Sequence, residues 1–315
     1  MKRYYSHGKL LLTGEYVVLD GAISLAIPTK FGQDLLVKPI EDSKLLWKSF
    51  DENNVVWFEA TFLIKNNEIL KPVQDNDSIS NRLLQILNAA KQLNPEFLHG
   101  NQGFDINTQL EFPKNWGLGT SSTLVHNISK WAKINPYTLL DLTFGGSGYD
   151  IACAEAKGPI TYKKILNQVQ DDNKQDNKKR EIKIVSFNPS FKSHLYFVHL
   201  NQKQNSREGI SQYRANTSDL RNDIEQINRI THNMIGCDSL EHFQELIDGH
   251  EQIISKIIKQ KPIKEQLFKD FNGSIKSLGA WGGDFVLAAS DYNPKQYFKD
   301  KGFLTVIAYD DMILN

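Results

Sequence analysis

The chain has 315 residues, with 37 Lys plus Arg against 37 Asp plus Glu and a formal net charge of zero. That length suffices for one large or two ordinary domains, and the balance of charge gives no global field for nucleic acid or an acidic membrane, so any anion site must be local. Only Cys153 and Cys237 are present, without CxxC spacing, and the eight histidines form no HExxH cluster; this excludes a disulfide framework, argues against structural zinc and fits a reducing, cytoplasmic location.

Lys2 and Arg3 stand at the N-terminus, but the nearby apolar run Leu10–Leu12 stops at Thr13-Gly14-Glu15, so neither a signal peptide nor a membrane span is expected. The segment 7–21, HGKLLLTGEYVVLDG, places Lys9 beside a glycine and Glu15 directly after Gly14. On these residues alone Lys9 can be a surface lysine and Glu15 the ion-pair partner of a neighbour. Further on, Leu83, Leu84, Leu87 and Ala90 form one helical stripe, stopped by Asn94-Pro95.

Residues 113–123 read PKNWGLGTSST, and an apolar pattern of helical period (Leu124, Val125, Ile128, Trp131, Ala132) begins at once. Such a loop is suited to phosphate. Gly117 and Gly119 let the backbone approach a ligand closely, and the first-turn N–H groups of the following helix make an anion site. Thr120, Ser121 and Ser122 can cap that helix or turn their oxygens toward a metal. An ordinary capped loop accounts for the same residues, since short Gly-rich patterns also arise by chance.

In residues 145–154, GGSGYDIACA, Asp150 falls at the start of a predicted helix; the spacing Ser147-x-x-Asp150 is also that of a helix cap. Ile160–Ile165 and Ile182–Phe187 read as strands, and the polar tract between them, 167–181, as a solvated loop. After Asn188-Pro189 the texture becomes helical, with one stripe at Leu220, Ile224, Ile227, Ile230 and Met234 and another running from Leu240 to Ile257. Asp238 and Glu241 form a candidate capping box between the two. The shift in texture suggests domains over 1–190 and 191–315. Residues 276–289, KSLGAWGGDFVLAA, give a second Gly-rich turn leading into a strand, and Gly282 and Gly283 can be no more than that turn.

Taken together these segments resemble the GHMP kinase family. The family's phosphate loop is matched by Pro113, Gly117, Leu118, Gly119, Thr120 and Ser121, with threonine for the first serine; its N-terminal pattern by Gly8, Lys9, Gly14 and Glu15, with His7 for proline; and its late Gly-rich motif by Gly279, Ala280, Gly282, Gly283 and Asp284, with Trp281 for glycine. Gly-Glu-Tyr at 14–16, Gly-Ser-Gly-Tyr-Asp at 146–150 and Gly-Gly-Asp at 282–284 are most similar to the mevalonate and phosphomevalonate kinase branch. The magnesium-binding glutamate usual in mevalonate kinase falls here at Leu139.

The resemblance implies an α+β, two-domain fold with ATP and substrate in the cleft between the domains, and transfer of the ATP γ-phosphoryl group to a small molecule with Mg²⁺. It implies catalytic roles for Lys9 and Asp150, and nucleotide binding by Pro113, Gly117, Leu118, Gly119, Thr120, Ser121 and Ser122, with Ser121 on the metal. Substrate contacts are implied at Glu15, Ser147, Lys203, Ser206, Gly279, Gly282 and Gly283, with Arg207 and Lys276 as further cations for an acceptor that is itself a phosphate. Diphosphomevalonate decarboxylase, a sugar or amino-alcohol kinase and a non-catalytic binding protein of the same fold are the alternatives. The expected partner is a small-molecule substrate, without nucleic acid or membrane; oligomeric state is unread.

Overall fold

The computed structural model describes residues 1–70, 77–166, 180–202, 206–215, 219–279, 281 and 283–315, with the side chains of 206–208 and 212 outside the description. Lys203, Ala280, Gly282, the stretch 167–179 of the predicted loop, and the side chains of Ser206 and Arg207 therefore lie outside the described residues. In chain order the strands are β1 (Lys2–Leu11), β2 (Ser24–Ile40), β3 (Lys44–Phe50), β4 (Val56–Lys65), β5 (Glu68–Leu70), β6 (Gly103–Leu110), β7 (Ile160–Lys164), β8 (Arg180–Ile184), β9 (Leu195–His199), β10 (Ser274–Ser277), β11 (Phe285–Ala289) and β12 (Val306–Ala308). The helices are α1 (Ser78–Leu93), α2 (Thr120–Ala132), α3 (Pro136–Thr143), α4 (Tyr149–Glu155), α5 (Ser206–Arg214), α6 (Arg221–Ile235), α7 (Leu240–Ile258), α8 (Ile263–Leu267), α9 (Lys295–Asp300) and α10 (Tyr309–Met312). The chain is thus of mixed α+β class, as its alternating texture suggests.

Two compact units form, and their boundary is not a single break near 190. The first contains 1–8, 31–114 and 118–155; the second contains 9–30, 115–117 and 156–315. A change of texture reports composition, whereas pairing decides membership: β7 pairs antiparallel with residues 24–26 of β2 and with β8, and this ties 156–190 to the N-terminal segment 9–30.

In the first unit the strand order is β5-β4-β3-β6-β2, with β3 parallel to β6 and the other pairs antiparallel. Alternate residues such as Leu35 and Val37, or Leu45 and Trp47, enter the core, the period of two that one covered face requires. Against them pack the apolar stripes of α1 (Leu83, Ile86, Leu87, Ala90) and α2 (Val125, Ile128, Ala132), together with Leu139 and Leu140 of α3 and Ile151 of α4. Asp77 caps α1 by accepting the Ser80 N–H at 3.2 Å, and Asn94 ends it, as predicted. Leu139 is fully buried in this core.

The second unit carries an antiparallel sheet of order β10-β11-β9-β12. Helix α7 packs on both α6 and β10. It buries Phe243, Leu246, Ile247, Ile254 and Ile257, each contributing about 1.5–3 kcal/mol. Its cap is Ser239, whose Oγ accepts the His242 N–H at 3.4 Å, one residue after the predicted Asp238. Ser239 holds the extended φ −115, ψ 128 that a capping residue needs, so the Asp238–Glu241 box does not form.

Candidate active site

The phosphate loop begins its geometry at Gly117. This residue has φ +65, and a β-carbon on it would stand 2.2 Å from the Asp284 carboxylate, so conformation and close approach both demand glycine. Its carbonyl accepts a 2.8 Å hydrogen bond from Lys9 Nζ. Three segments far apart in sequence, at 9, 117 and 284, therefore meet at one residue of the second unit. Trp116, next to it, packs edge-on to Phe285 at 5.4 Å, and the Asn115 carbonyl meets His199 Nε2 at 3.1 Å.

Past the loop, Gly119 takes φ 96, ψ 40 as the residue before α2 and supplies no side-chain cap. Of the hydroxyls that might have capped the helix, Ser122 turns the other way and donates its Oγ proton to the Gly119 carbonyl at 2.9 Å; Thr123 Oγ1 donates to Gln33 Oε1 at 2.6 Å. Helical backbone bonding starts only at Thr123 N–H to the Gly119 carbonyl. The first-turn amides of a thirteen-residue helix are thereby left for an anion, with the exposed Ser121 hydroxyl beside them.

In the first unit α4 packs against α2. Gly145, Gly146 and Gly148, all at positive φ, lead into it, Ser147 is buried, and Asp150 is half-buried in its first turn with Oδ1 accepting the Ile151 N–H at 3.0 Å. His7 is half-buried, edge-on to Tyr5. Another polar set here looks like a nucleophile triad. Ser6 Oγ lies 2.7 Å from His126 Nδ1, and His126 Nε2 lies 3.3 Å from Glu155. Asn127 Nδ2 donates to the Gln33 carbonyl, which turns its Oδ1 to receive the Ser6 proton. With that proton committed and Ser6 fully buried, the set is structural.

Glu15 and Lys276 do not face a substrate. Both are buried, and Lys276 Nζ bonds Glu15 Oε1 at 2.5 Å and the Ser277 carbonyl at 2.6 Å, with Glu251 Oε1 at 3.1 Å. Ser277 donates to the other oxygen of Glu251, and His250 Nε2 accepts the Gly14 N–H at 3.0 Å. These are corrections to the expected substrate role of Glu15 and to Lys276 as a phosphate contact: an ammonium enclosed by two carboxylates cannot also receive an external anion. His250 and Glu251 are the members the sequence reading missed.

Two carboxylates and one ammonium in full burial carry one negative charge too many for a medium of low polarity. Burial accordingly pushes Glu15 up to about 7 against the pull of Lys276, and raises Glu251 as well. Burial alone would lower the Lys276 ammonium, but the two carboxylates outweigh it and the shift is upward. Burial, then the charge of Lys276, holds His250 well below its ordinary range.

The signs of these shifts make a test. Folded Glu15 keeps a proton that the unfolded chain gives up near 4.5, so its contribution to stability falls as pH rises from about 4.5 to 7. Folded His250 refuses a proton that the unfolded chain takes up below 6.5, so its contribution rises with pH up to 6.5. Between these limits the two oppose. Glu15→Gln should therefore add a rising stability profile over pH 5–6.5, and His250→Gln a falling one, each approaching about 1.4 kcal/mol per pH unit relative to the parent. Urea midpoints at several pH values measure both, and parallel profiles in the two variants would refute the opposed shifts of Glu15 and His250.

The strained point of this region is Tyr16, at φ 64, ψ −53, where the Val17 N–H bonds back to the Glu15 carbonyl at 2.8 Å. This is the rare γ-turn with positive φ, which costs on the order of 1–3 kcal/mol. Trp281, expected at a position of the late motif where glycine is usual, is buried in the core beside it with Tyr213, Ile227 and Ile254. Gly279 has φ +66 and open space around it, and Gly283 is buried.

No family model and no curated protein matches the sequence. Solved structures do. Streptococcus pneumoniae phosphomevalonate kinase in complex with phosphomevalonate and AMPPNP matches with TM-score 0.71 at 14% identity, over 98% of this chain and 100% of that one. Methanococcus jannaschii mevalonate kinase matches at 0.65 and 16%, over 96% and 94%, and Lactococcus lactis galactokinase complexed with galactose at 0.62 and 15%, over 95% and 88%. The chain has the GHMP kinase fold. Three of the segments that carry the resemblance in sequence, around Lys9, Gly117 and Asp284, converge on Gly117.

Proposed function

We propose that the chain is an ATP-dependent small-molecule kinase of the mevalonate or phosphomevalonate type, acting in isoprenoid precursor synthesis in the cytoplasm. The observation that carries this reading is the bond from Lys9 Nζ to the Gly117 carbonyl, which sets a lysine at the loop that leads into the uncapped N-terminus of α2. Phosphoryl transfer asks the protein chiefly for positioning and charge stabilisation. The α2 amides and the loop hold the nucleotide phosphates. Lys9 offsets charge developing on the transferred group. Asp150 receives or orients the proton of an alcohol acceptor. Ser147 and the start of α5, where Ser206 and Arg207 stand after Lys203, serve the acceptor, with Gly279 and Gly283 in the late turn.

The residues fit Mg²⁺ held mainly by the nucleotide. Among the described residues no group of three His, Cys, Asp or Glu is placed to hold a metal, Leu139 offers no oxygen, and the Ser121 hydroxyl is exposed beside the amides. A magnesium ion bound through substrate phosphates and few protein oxygens needs no more. No described helix is long and apolar enough to cross a membrane.

A coupled ADP-release assay with mevalonate, phosphomevalonate and a panel of sugars and amino alcohols tests the activity, and product analysis for carbon dioxide separates transfer from decarboxylation. Gly119→Val tests the loop. Valine is strained at φ 96, so nucleotide affinity should be lost in a chain that stays folded; unchanged affinity by calorimetry would remove the loop from the mechanism.

A further inference from the structure

Strand β8 is the last of its sheet: β7 pairs with one of its edges, and no described strand pairs with the other. One bond fixes where its backbone groups point. Val185 N–H donates to the Pro159 carbonyl at 2.9 Å, one step beyond the Ile160–Ile184 pair of the β7–β8 ladder. Bonded and non-bonded pairs alternate along an antiparallel ladder. Glu181 and Lys183 therefore turn their N–H and C=O groups toward β7, and Ile182 and Ile184 turn theirs to the open edge.

The side chains alternate in the same way. On β7, Ile160 and Tyr162 are fully buried, yet the β8 residues beside them on that face, Ile184 and Ile182, are 74% and 41% exposed. The apolar face of the sheet thus runs out past its cover at the edge strand. Open backbone groups and exposed isoleucines at one edge make a template for another strand. On the opposite face Glu181 and Lys183 form an ion pair with each other. Charge on an edge strand usually blunts it, but these two charges have opposite signs and stand two residues apart, on either side of Ile182.

We propose that β8 pairs with β8 of a second copy of this chain, antiparallel about a two-fold axis at Ile182. Each Ile182 then exchanges two backbone bonds with its counterpart through the groups that face the open edge. The closely spaced non-bonded pairs on either side set Glu181 against the second copy's Lys183, and Lys183 against its Glu181. Two carboxylates and two ammonium groups form a neutral cluster on one face, and Ile182 meets its counterpart on the other. Centring the axis on Glu181 or on Lys183 would set like charges opposite each other, so the charge pattern selects the register. The interface is isologous, the form that closes on itself as a dimer. The inference is independent of the kinase reading.

Strands of five residues bury little area, so association is weak and is read by sedimentation velocity at about 10–100 µM, where the parent should show a monomer–dimer equilibrium. Glu181→Lys or Lys183→Glu alone sets like charges opposite each other and should weaken the dimer about tenfold or more. An equimolar mixture of these two variants restores both opposite-charge pairs and should associate like the parent. Ile182→Pro removes an N–H that faces the open edge, so it spares the ladder to β7 and should abolish the dimer. Circular dichroism and thermal midpoint check that each variant keeps the fold; if the proline variant does not, the charge variants and their mixture decide. A parent that stays monomeric over the whole range would overturn the proposal and leave the edge to an extended segment of another protein. A dimer that survives in either charge variant, or a mixture no more associated than its components, would overturn it as well.

Discussion

Lys276→Met should destabilise the second unit by about 3–5 kcal/mol, the usual cost of removing one partner from a buried ion cluster. Lys276 is fully buried and its ammonium meets Glu15, Glu251 and the Ser277 carbonyl. Methionine fills much the same volume, so packing loss is small and the deficit is electrostatic. Two carboxylates would then share the site with no cation, and both must take up protons for the chain to stay folded, so the loss should be greater at pH 8 than at pH 5. Adding Glu15→Gln and Glu251→Gln removes the charges that need compensation and should recover more than half of it. The parent, single and triple variants are compared by urea denaturation at the two pH values. A loss below about 1 kcal/mol for Lys276→Met, or no recovery in the triple variant, would show that the ammonium is not what balances the cluster.

How far the sequence reveals this site depends on the range of the interactions. The phosphate loop is legible because its causes are local: Gly117 and Gly119 take positive φ, and α2 follows within a residue. The stripes of α1, α6 and α7 are legible for the same reason, since helical period is written in consecutive residues. Glu15 and Lys276 are 261 positions apart, and no local pattern states that they pair. A signal was nonetheless present in α7. His250 and Glu251 occupy the stripe between Ile247 and Ile254 where period calls for apolar residues, and a polar side chain inside an apolar stripe needs a buried partner. Such positions point to a cluster without naming its other members. The unit boundary was hidden differently: β7 and β8 follow the first unit in sequence, but pairing with residues 24–26 carries them into the second. Trp281 looks in sequence like a defect in a glycine motif, and only its burial against Tyr16 and Tyr213 shows it as core.

Asp150→Asn should lower turnover of an alcohol acceptor by about 10² to 10⁴-fold, the range for loss of a general base, while leaving the fold unchanged. The geometry lets this substitution keep one backbone bond. Asp150 is half-buried and its Oδ1 accepts the Ile151 N–H at 3.0 Å, a bond that the side-chain carbonyl of asparagine can also accept. Helix α4 should keep its first turn and the melting temperature should move little. The effect on rate then depends on what is phosphorylated. An alcohol such as mevalonate must lose its proton to attack, so removing the acceptor of that proton acts on kcat directly. A phosphate monoester is already anionic near neutral pH and needs no strong base, so with phosphomevalonate the loss should be at least tenfold smaller. Measuring kcat and melting temperature with each accepted substrate distinguishes these cases: full activity with an alcohol acceptor would sink the base assignment, and a large fall in melting temperature without a rate effect specific to one acceptor would make Asp150 a structural residue of α4.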